Sequence, residues 1–313
     1  MTYTVFSEKC RNFANGLVSI VDQVPGKSVI GLFSDNRIEY TIVEYGCYMH
    51  SMVIAPIYST LGPNVCTFIA NQAEISVIVC DSLERVEAVL TQVGKITHLK
   101  TIIVLDKIPY SYVAKAKSHG LTVLHIDEVI AAGSKSSQEL QLPKPENLAL
   151  ICYTSGTTGT PKGVMLTHAN LIAASAGLIK NMLDHELKSE DVFLSYLPLG
   201  HIMERVTELC MFLVGAQVVY FAGDIQSLTK DVQLVKPTIF LSKYSVFVFT
   251  ILVTPIFFIA VPRLLNKVYD KIQENIRGNP FKKWLFVTGL AAKEDAYKKG
   301  KLSHNTIWGR IMF

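Results

Sequence analysis

Leu148-Ala149-Leu150-Ile151-Cys152-Tyr153 is a short, uninterrupted apolar run, and it passes straight into Thr154-Ser155-Gly156-Thr157-Thr158-Gly159-Thr160-Pro161-Lys162-Gly163. A run of this length, stopped by glycines, reads as a buried β-strand followed by a tight loop. The three glycines let successive backbone N–H groups converge on an anion, and five hydroxyls and one ammonium add further donors. The composition suits a polyphosphate, and a solvated turn without a ligand is the competing reading. It is not a Walker A loop, because Lys162 is preceded by Pro161 and followed by Gly163 rather than by Ser or Thr. Neither G-x-G-x-x-G nor G-x-S-x-G occurs in it, which removes the dinucleotide and nucleophile-elbow readings.

Upstream, residues 6–21 have a helical pattern and residues 28–33 form an apolar run stopped by Ser34-Asp35-Asn36-Arg37. The same rhythm returns at 53–56, 75–80, 101–105 and 121–124, most of these runs preceded by a helical stretch. Apolar strands separated by helices imply an α/β fold whose parallel sheet is covered on both faces. Between 133 and 147 the sequence turns to Ser, Lys, Gln and Pro, with Pro143 and Pro145 blocking helix. The expectation is a first lobe over 1–132, a surface linker over 133–147 and a second α/β lobe over 148–313. In that second lobe the pattern predicts helices at 168–183 and 202–213 and strands at 218–221 and 238–241.

The chain has 313 residues, half of them hydrophobic and 18% charged, which is too apolar for disorder. Its net charge of +4 carries no basic run, so a nucleic-acid footprint is not indicated. Six scattered cysteines include no C-x-x-C, which argues against a zinc site or a disulfide framework and for a reducing compartment. The first residues lack the basic start and apolar core of a secretory signal. Tyr40, Tyr45, Cys47 and Met49 share one helical stretch, and packing of an amphipathic helix accounts for them.

Taken as a block, Tyr153 to Gly163 resembles the signature phosphate loop of the adenylate-forming superfamily, which includes acyl-CoA synthetases, luciferases and peptide-synthetase adenylation domains. Leu197-Pro198-Leu199-Gly200-His201-Ile202-Met203-Glu204-Arg205, Phe221-Ala222-Gly223-Asp224-Ile225 and Val261-Pro262-Arg263-Leu264-Leu265-Asn266-Lys267-Val268-Tyr269 resemble the eukaryotic long-chain fatty acyl-CoA synthetases. Asn36-Arg37, Glu44-Tyr45-Gly46-Cys47 and Tyr58-Ser59-Thr60-Leu61-Gly62 fit the same branch. The resemblance implies the front half of the large N-terminal domain of such an enzyme, with parallel sheets and helices on both faces. It also implies two half-reactions: a long-chain fatty carboxylate attacks the α-phosphorus of ATP, and the thiol of CoA then displaces AMP.

By that resemblance Thr154, Ser155, Gly156, Thr157, Thr158, Gly159 and Lys162 cradle ATP, with Thr158, Lys162 and His201 in catalytic roles. Thr154, Thr157 and Thr158 are the candidate oxygen ligands for Mg²⁺, Thr154 foremost. His201 and Glu204 are placed at the substrate, near the acyl carboxylate and the mouth of the fatty-chain tunnel. A packed or solvent-facing histidine is the competing reading for His201. Glu204 and Arg205 either orient His201 or are an ordinary first-turn acid with a nearby surface base. The family also implies an intracellular, membrane-associated location at the endoplasmic reticulum, mitochondrial outer membrane or peroxisome. The competing function is a non-catalytic, membrane-associated adenylate-forming-like module that binds nucleotide or fatty acid without turning it over; a P-loop kinase or GTPase is disfavoured by the absent Gly-Lys-[Ser/Thr].

Two departures from the family pattern shape the remaining expectations. The family continues beyond Trp308-Gly309-Arg310-Ile311-Met312-Phe313 into the adenine and ribose sites, the hinge and a small C-terminal domain, and it usually begins with a membrane anchor. A truncated chain without complete turnover is therefore expected. Lys243 to Ala260 separates two segments that the family joins directly, and residues 244–261 hold no charge. A transmembrane helix, a pair of extra buried strands and a translated intron are the three readings of this insert.

Overall fold

The computed structural model describes residues 1–58, 64–154, 160–181, 186–223, 228–241, 257–258 and 288. Helices and strands alternate from the start: α1 (Tyr3–Ser19), β1 (Val29–Phe33), α2 (Ile38–Met49), β2 (Val53–Pro56), α3 (Val65–Gln72), β3 (Val77–Cys80) and α4 (Leu83–Gln92). The alternation continues through β4 (Thr101–Val104), α5 (Tyr110–Ser118), β5 (Thr122–His125), α6 (Ile126–Gly133), β6 (Leu148–Thr154), β7 (Lys162–Thr167) and α7 (His168–Asn181). After these come β8 (Val192–Ser195), α8 (Ile202–Val214), β9 (Gln217–Tyr220), α9 (Leu228–Val235), β10 (Ile239–Phe240) and β11 (Phe257–Phe258). The α/β class expected from the apolar runs is the class observed.

Seven strands form the main sheet in the order β5-β4-β3-β1-β2-β6-β7. Every neighbouring pair is parallel except β6–β7, an antiparallel hairpin in which Thr154 is the cross-strand partner of Lys162. Side chains alternate between the two faces, as the pleat requires. Ile30, Leu32, Ile54, Val77, Val79 and Ile103 join one core with Phe13 and Leu17 of α1, Tyr40, Val43 and Cys47 of α2, and Val129 of α6. Phe33, Ala55, Ile78, Cys80, Ile102 and Val104 join the other with Ile69 of α3, Val86, Val89 and Leu90 of α4, and Ala116 of α5. Continuous Val/Ile runs are therefore buried on both sides, the hallmark of a parallel sheet between helical layers.

Helices α1 and α6 cross at two glycines. A Cβ on Gly133 would lie 1.7 Å from the Asn12 carbonyl oxygen, and one on Gly16 would lie 2.0 Å from that of Val129. No side chain fits at either position, so the helix backbones are in direct contact.

The strand at Leu148–Thr154, expected from the sequence to open a second lobe, is the sixth strand of this first sheet. Its apolar pattern marks it as buried without revealing which sheet it enters. By compactness the chain divides elsewhere: Met1–Glu190 with Ser195–Asp224 forms one unit, and Asp191–Leu194 with Ile225–Phe313 the other. The 133–147 segment is tied down rather than loose. The Ser51 hydroxyl donates to the Gln141 carbonyl (2.7 Å), and the Gln141 N–H donates to Nδ1 of the fully buried His50 (3.2 Å). Two strands escaped the sequence reading: β7, whose Lys162 and Gly163 belong to a strand rather than to the loop, and β8.

In the second unit, β10 lies parallel to β8 through Ile239 opposite Phe193, and parallel to β11 through Ile239 opposite Phe257. The Thr238 hydroxyl donates to the Asp191 carboxylate (2.6 Å) and accepts from the Val192 N–H (2.9 Å). Strand β11 falls within the insert at 243–260; its other residues, and the family-like segment 261–269, lie outside the described residues.

Candidate functional site

Parallel strands deliver their loops to one edge of the sheet, so residues following β1, β2 and β6 meet at their carboxyl ends. Asn36 follows β1, Tyr58 follows β2 and Thr154 closes β6. The segment 195–201, which links β8 to α8, lies against them.

Asn36 is buried and gives its whole carboxamide to that segment. Its Nδ2 donates to the Ser195 Oγ (2.9 Å) and the Leu197 carbonyl (2.6 Å), and its Oδ1 accepts from the Leu199 N–H (2.9 Å). The chain then turns, with the His201 N–H donating to the Pro198 carbonyl at 2.8 Å. Gly200 has no room for a side chain, since a Cβ would lie 2.7 Å from the Tyr58 ring. Its carbonyl accepts from the Cys152 thiol at 3.2 Å.

His201 is exposed and occupies the N-cap position of α8. Its ring packs against Tyr58, centroid to centroid 5.6 Å, at an angle of 52°. The Tyr58 hydroxyl in turn donates to the Tyr153 carbonyl, one residue before Thr154. Burial pushes the Tyr58 phenol up to about 12, with the neighbouring Cys152 adding to the rise, so Tyr58 is a neutral donor at physiological pH. Through Tyr58, His201 stands beside the end of the strand that carries the glycine loop.

Thr154 and Lys162 are both exposed and stand opposite each other at the base of that loop. Ser155, Gly156, Thr157, Thr158 and Gly159 lie outside the described residues. The hydroxyl and ammonium at the base fit an anionic ligand held above the strand ends. Among the described residues no group of three or more His, Cys, Asp or Glu side chains is placed to hold a metal ion. Of the candidate Mg²⁺ ligands, Thr154 is therefore the one on view, and phosphate oxygens would complete such a site.

Glu204 and Arg205 are both buried, and Arg205 reaches back to the chain just before His201. Glu204 does lie in the first turn of α8, but it is fully buried rather than exposed to a substrate. Burial pushes its carboxyl well above the ordinary range, while the Ser195 hydroxyl and the Tyr196 backbone favour the charged form. Arg205, 4% exposed, is no surface base: it forms an ion pair with Glu44 of α2. Its Nη2 also donates to the Leu199 carbonyl (2.7 Å) and the Tyr40 hydroxyl (2.9 Å). The reason is helix geometry: α8 buries Glu204, Arg205, Glu208 and Met211 on one side and Val206, Thr207 and Cys210 on the other, so its middle turns are enclosed nearly all round. One turn further on, Glu208 accepts from the Thr41 hydroxyl (3.0 Å) and from Tyr220 (3.2 Å). Burial, then the Glu44 charge, pushes its carboxyl up to about 7.

Sequence reasoning grouped Tyr40, Tyr45, Cys47 and Met49 as core, and all four belong to or pack against the larger core cluster. It missed the polar half of the same helix face. Asn36, Tyr40 and Glu44 clamp the 195–205 segment, and their signal was a Glu inside an otherwise apolar helix facing an Arg inside another.

A family model described as AMP-binding enzyme matches residues 1–283. Long-chain-fatty-acid–CoA ligase 5 of Rattus norvegicus is 35% identical over 287 residues, covering 91% of this chain and 39% of that protein. The A domain of a carboxylic acid reductase from Segniliparus rugosus, solved with AMP and a co-purified carboxylic acid, matches with a TM-score of 0.72 at 19% identity, over 90% of this chain and 45% of that one. A long-chain-fatty-acid-CoA ligase from Archaeoglobus fulgidus matches with a TM-score of 0.66 at 24% identity, over 88% of this chain and 47% of that one. The chain spans about two fifths of the length of the curated relatives it matches. With a matching family model over most of its length and the fold of adenylate-forming enzymes, this chain belongs to the AMP-binding enzyme family.

Proposed function

We propose that this chain carries the phosphate-cradling and carboxylate-facing part of an ATP-dependent long-chain fatty acid–CoA ligase. The observation that carries the reading is the meeting of His201, Tyr58 and the Thr154–Lys162 base of the glycine loop at the carboxyl ends of the sheet. In the first half-reaction a fatty carboxylate oxygen attacks the α-phosphorus of ATP, forming a mixed anhydride and releasing pyrophosphate. In the second, the thiol of CoA attacks the acyl carbon and AMP departs. Neither step needs a covalent bond to the protein, so the work is orientation and charge stabilisation.

Lys162 and the hydroxyls of Thr154, Thr157 and Thr158 supply donors to the β- and γ-phosphates, with Mg²⁺ sharing that charge. His201 lies within reach of the carboxylate side of such a ligand and holds its position through Tyr58. Glu204, being buried, acts by shaping the start of α8 rather than by touching the substrate. Membrane association belongs to the same reading through its substrate, since a long acyl chain partitions into bilayers; among the described residues no helix is long and apolar enough to cross a membrane.

The test is to incubate the chain with ATP, Mg²⁺ and oleate and to look for oleoyl-adenylate by mass spectrometry, with equilibrium dialysis of each ligand alongside. Adenylate formed by wild type and reduced at least tenfold in Lys162→Ala supports the ligase reading. Binding of ATP and oleate without adenylate supports the non-catalytic binding module. Binding of neither refutes both.

A further inference from the structure

We infer that Asn36 is a positioning residue for His201, acting through the 195–199 segment without touching a substrate; the catalytic half of this inference rests on the role proposed for His201. All three of its side-chain hydrogen bonds go to one stretch of chain more than 150 residues away in sequence. They fall on residues 195, 197 and 199, from the last residue of β8 through the bend and turn that follow it, so three points along the segment are held by one side chain. A carboxamide is the side chain suited to this, because it donates at one end and accepts at the other. Aspartate would keep the bond from the Leu199 N–H but could donate to neither Ser195 nor Leu197.

The far end of the segment is held separately. Arg205 binds the Leu199 carbonyl and is itself held by Glu44 and Tyr40. Beyond that anchor only the Pro198–His201 turn remains before α8, and Gly200 is pressed against the Tyr58 ring and Cys152. The place of His201 is therefore dictated by two clamps, one from the loop after β1 and one from α2, neither of which meets the ligand. A site held to a fraction of an ångström needs such supporting bonds. Loss of Asn36 leaves the Leu199 N–H and the Leu197 carbonyl to find water, and it frees the turn to move away from Tyr58.

The test compares wild type, Asn36→Ala and Asn36→Asp by site-resolved histidine modification with diethyl pyrocarbonate. His98, which is exposed, reports reagent activity, and the fully buried His50 reports global opening. The expected result is a rise of about twofold in His201 modification relative to His98 in Asn36→Ala, as the ring leaves Tyr58 and its remaining covered face opens, and a smaller rise in Asn36→Asp. His50 should remain protected. Oleate affinity should fall with ATP affinity unchanged, a split that general destabilisation does not produce. An unchanged His201 ratio, or a rise shared equally by His50, overturns the inference. If wild type binds no oleate, the carboxylate role of His201 fails, while the modification ratio still decides whether Asn36 sets its position. Should Asn36→Ala fail to fold, Asn36→Asp carries the same comparison.

Discussion

Replacing Arg205 with Met removes the one guanidinium that the described residues place in a pocket with Glu44, Glu204 and Glu208, each no more than 4% exposed. Methionine has nearly the volume of the arginine stem, so the change is chiefly electrostatic. Glu44 would keep only the Tyr48 hydroxyl, at 2.9 Å, among its described donors, and the Leu199 carbonyl and Tyr40 hydroxyl would each lose a partner. Breaking a buried pair from one side typically costs about 3–5 kcal/mol, because the remaining charge stays dry. That is a large part of the roughly 5–15 kcal/mol that holds an ordinary domain folded. Replacing both members, Glu44→Met with Arg205→Met, removes the stranded charge and should recover about half or more of the loss. Urea unfolding of the four proteins at pH 7, followed by far-UV circular dichroism, gives the full double-mutant cycle. A single variant within about 1 kcal/mol of wild type, or a double variant no better than Arg205→Met, would refute the reasoning.

Gly133→Ala should destabilise by roughly 1–3 kcal/mol through overpacking, because its Cβ would meet the Asn12 carbonyl at 1.7 Å; Gly94→Ala, with nothing within 4 Å, should be nearly neutral, and thermal melts compare the two. His50 is held neutral by burial, with Nδ1 accepting from Gln141 and Nε2 left to donate to Asn15. Its folded-state pKa is lowered, so its contribution is complete above the unfolded value of about 6.5 and is lost as pH falls below it; urea midpoints taken from pH 7 to 5 should fall more steeply in wild type than in His50→Gln. Glu208 has the opposite sign: its carboxyl is raised to about 7, so its contribution is present below about 4.5 and lost as pH rises through 7. Glu208→Gln should flatten that limb of the stability profile, and an unchanged slope would show that this carboxyl does not titrate there.

The apolar runs announced β1 to β6 because a strand buried on both faces has no polar alternation to disguise it. The edge strand β7 was hidden in Lys162-Gly163-Val164-Met165-Leu166-Thr167, where a glycine and a largely exposed face weaken any strand signal. The lobe boundary was misplaced for a related reason. Pro143 and Pro145 mark an irregular segment truthfully, but an irregular segment can return the chain to the same sheet as readily as lead it to a new one. Among the site residues, the glycine loop stood out by its composition, and His201 by the family resemblance of residues 197–205 around it, since a lone histidine is more often simply packed or solvated. Asn36 and Arg205 did not, since their roles depend on partners far away in sequence. Arg205 looked like a surface base because a lone charge near a helix start usually is one, and only packing shows that α8 is enclosed.

If the Thr154–Lys162 hairpin base belongs to a nucleotide site, Lys162 contributes to ATP affinity. Isothermal titration of the chain with ATP in the presence of Mg²⁺, beside Lys162→Ala, tests it most directly. Wild type should bind saturably and Lys162→Ala should lose roughly tenfold or more in affinity, about 1.4 kcal/mol for one charge-assisted contact to phosphate. No binding by wild type, or equal affinity in the two proteins, would contradict it.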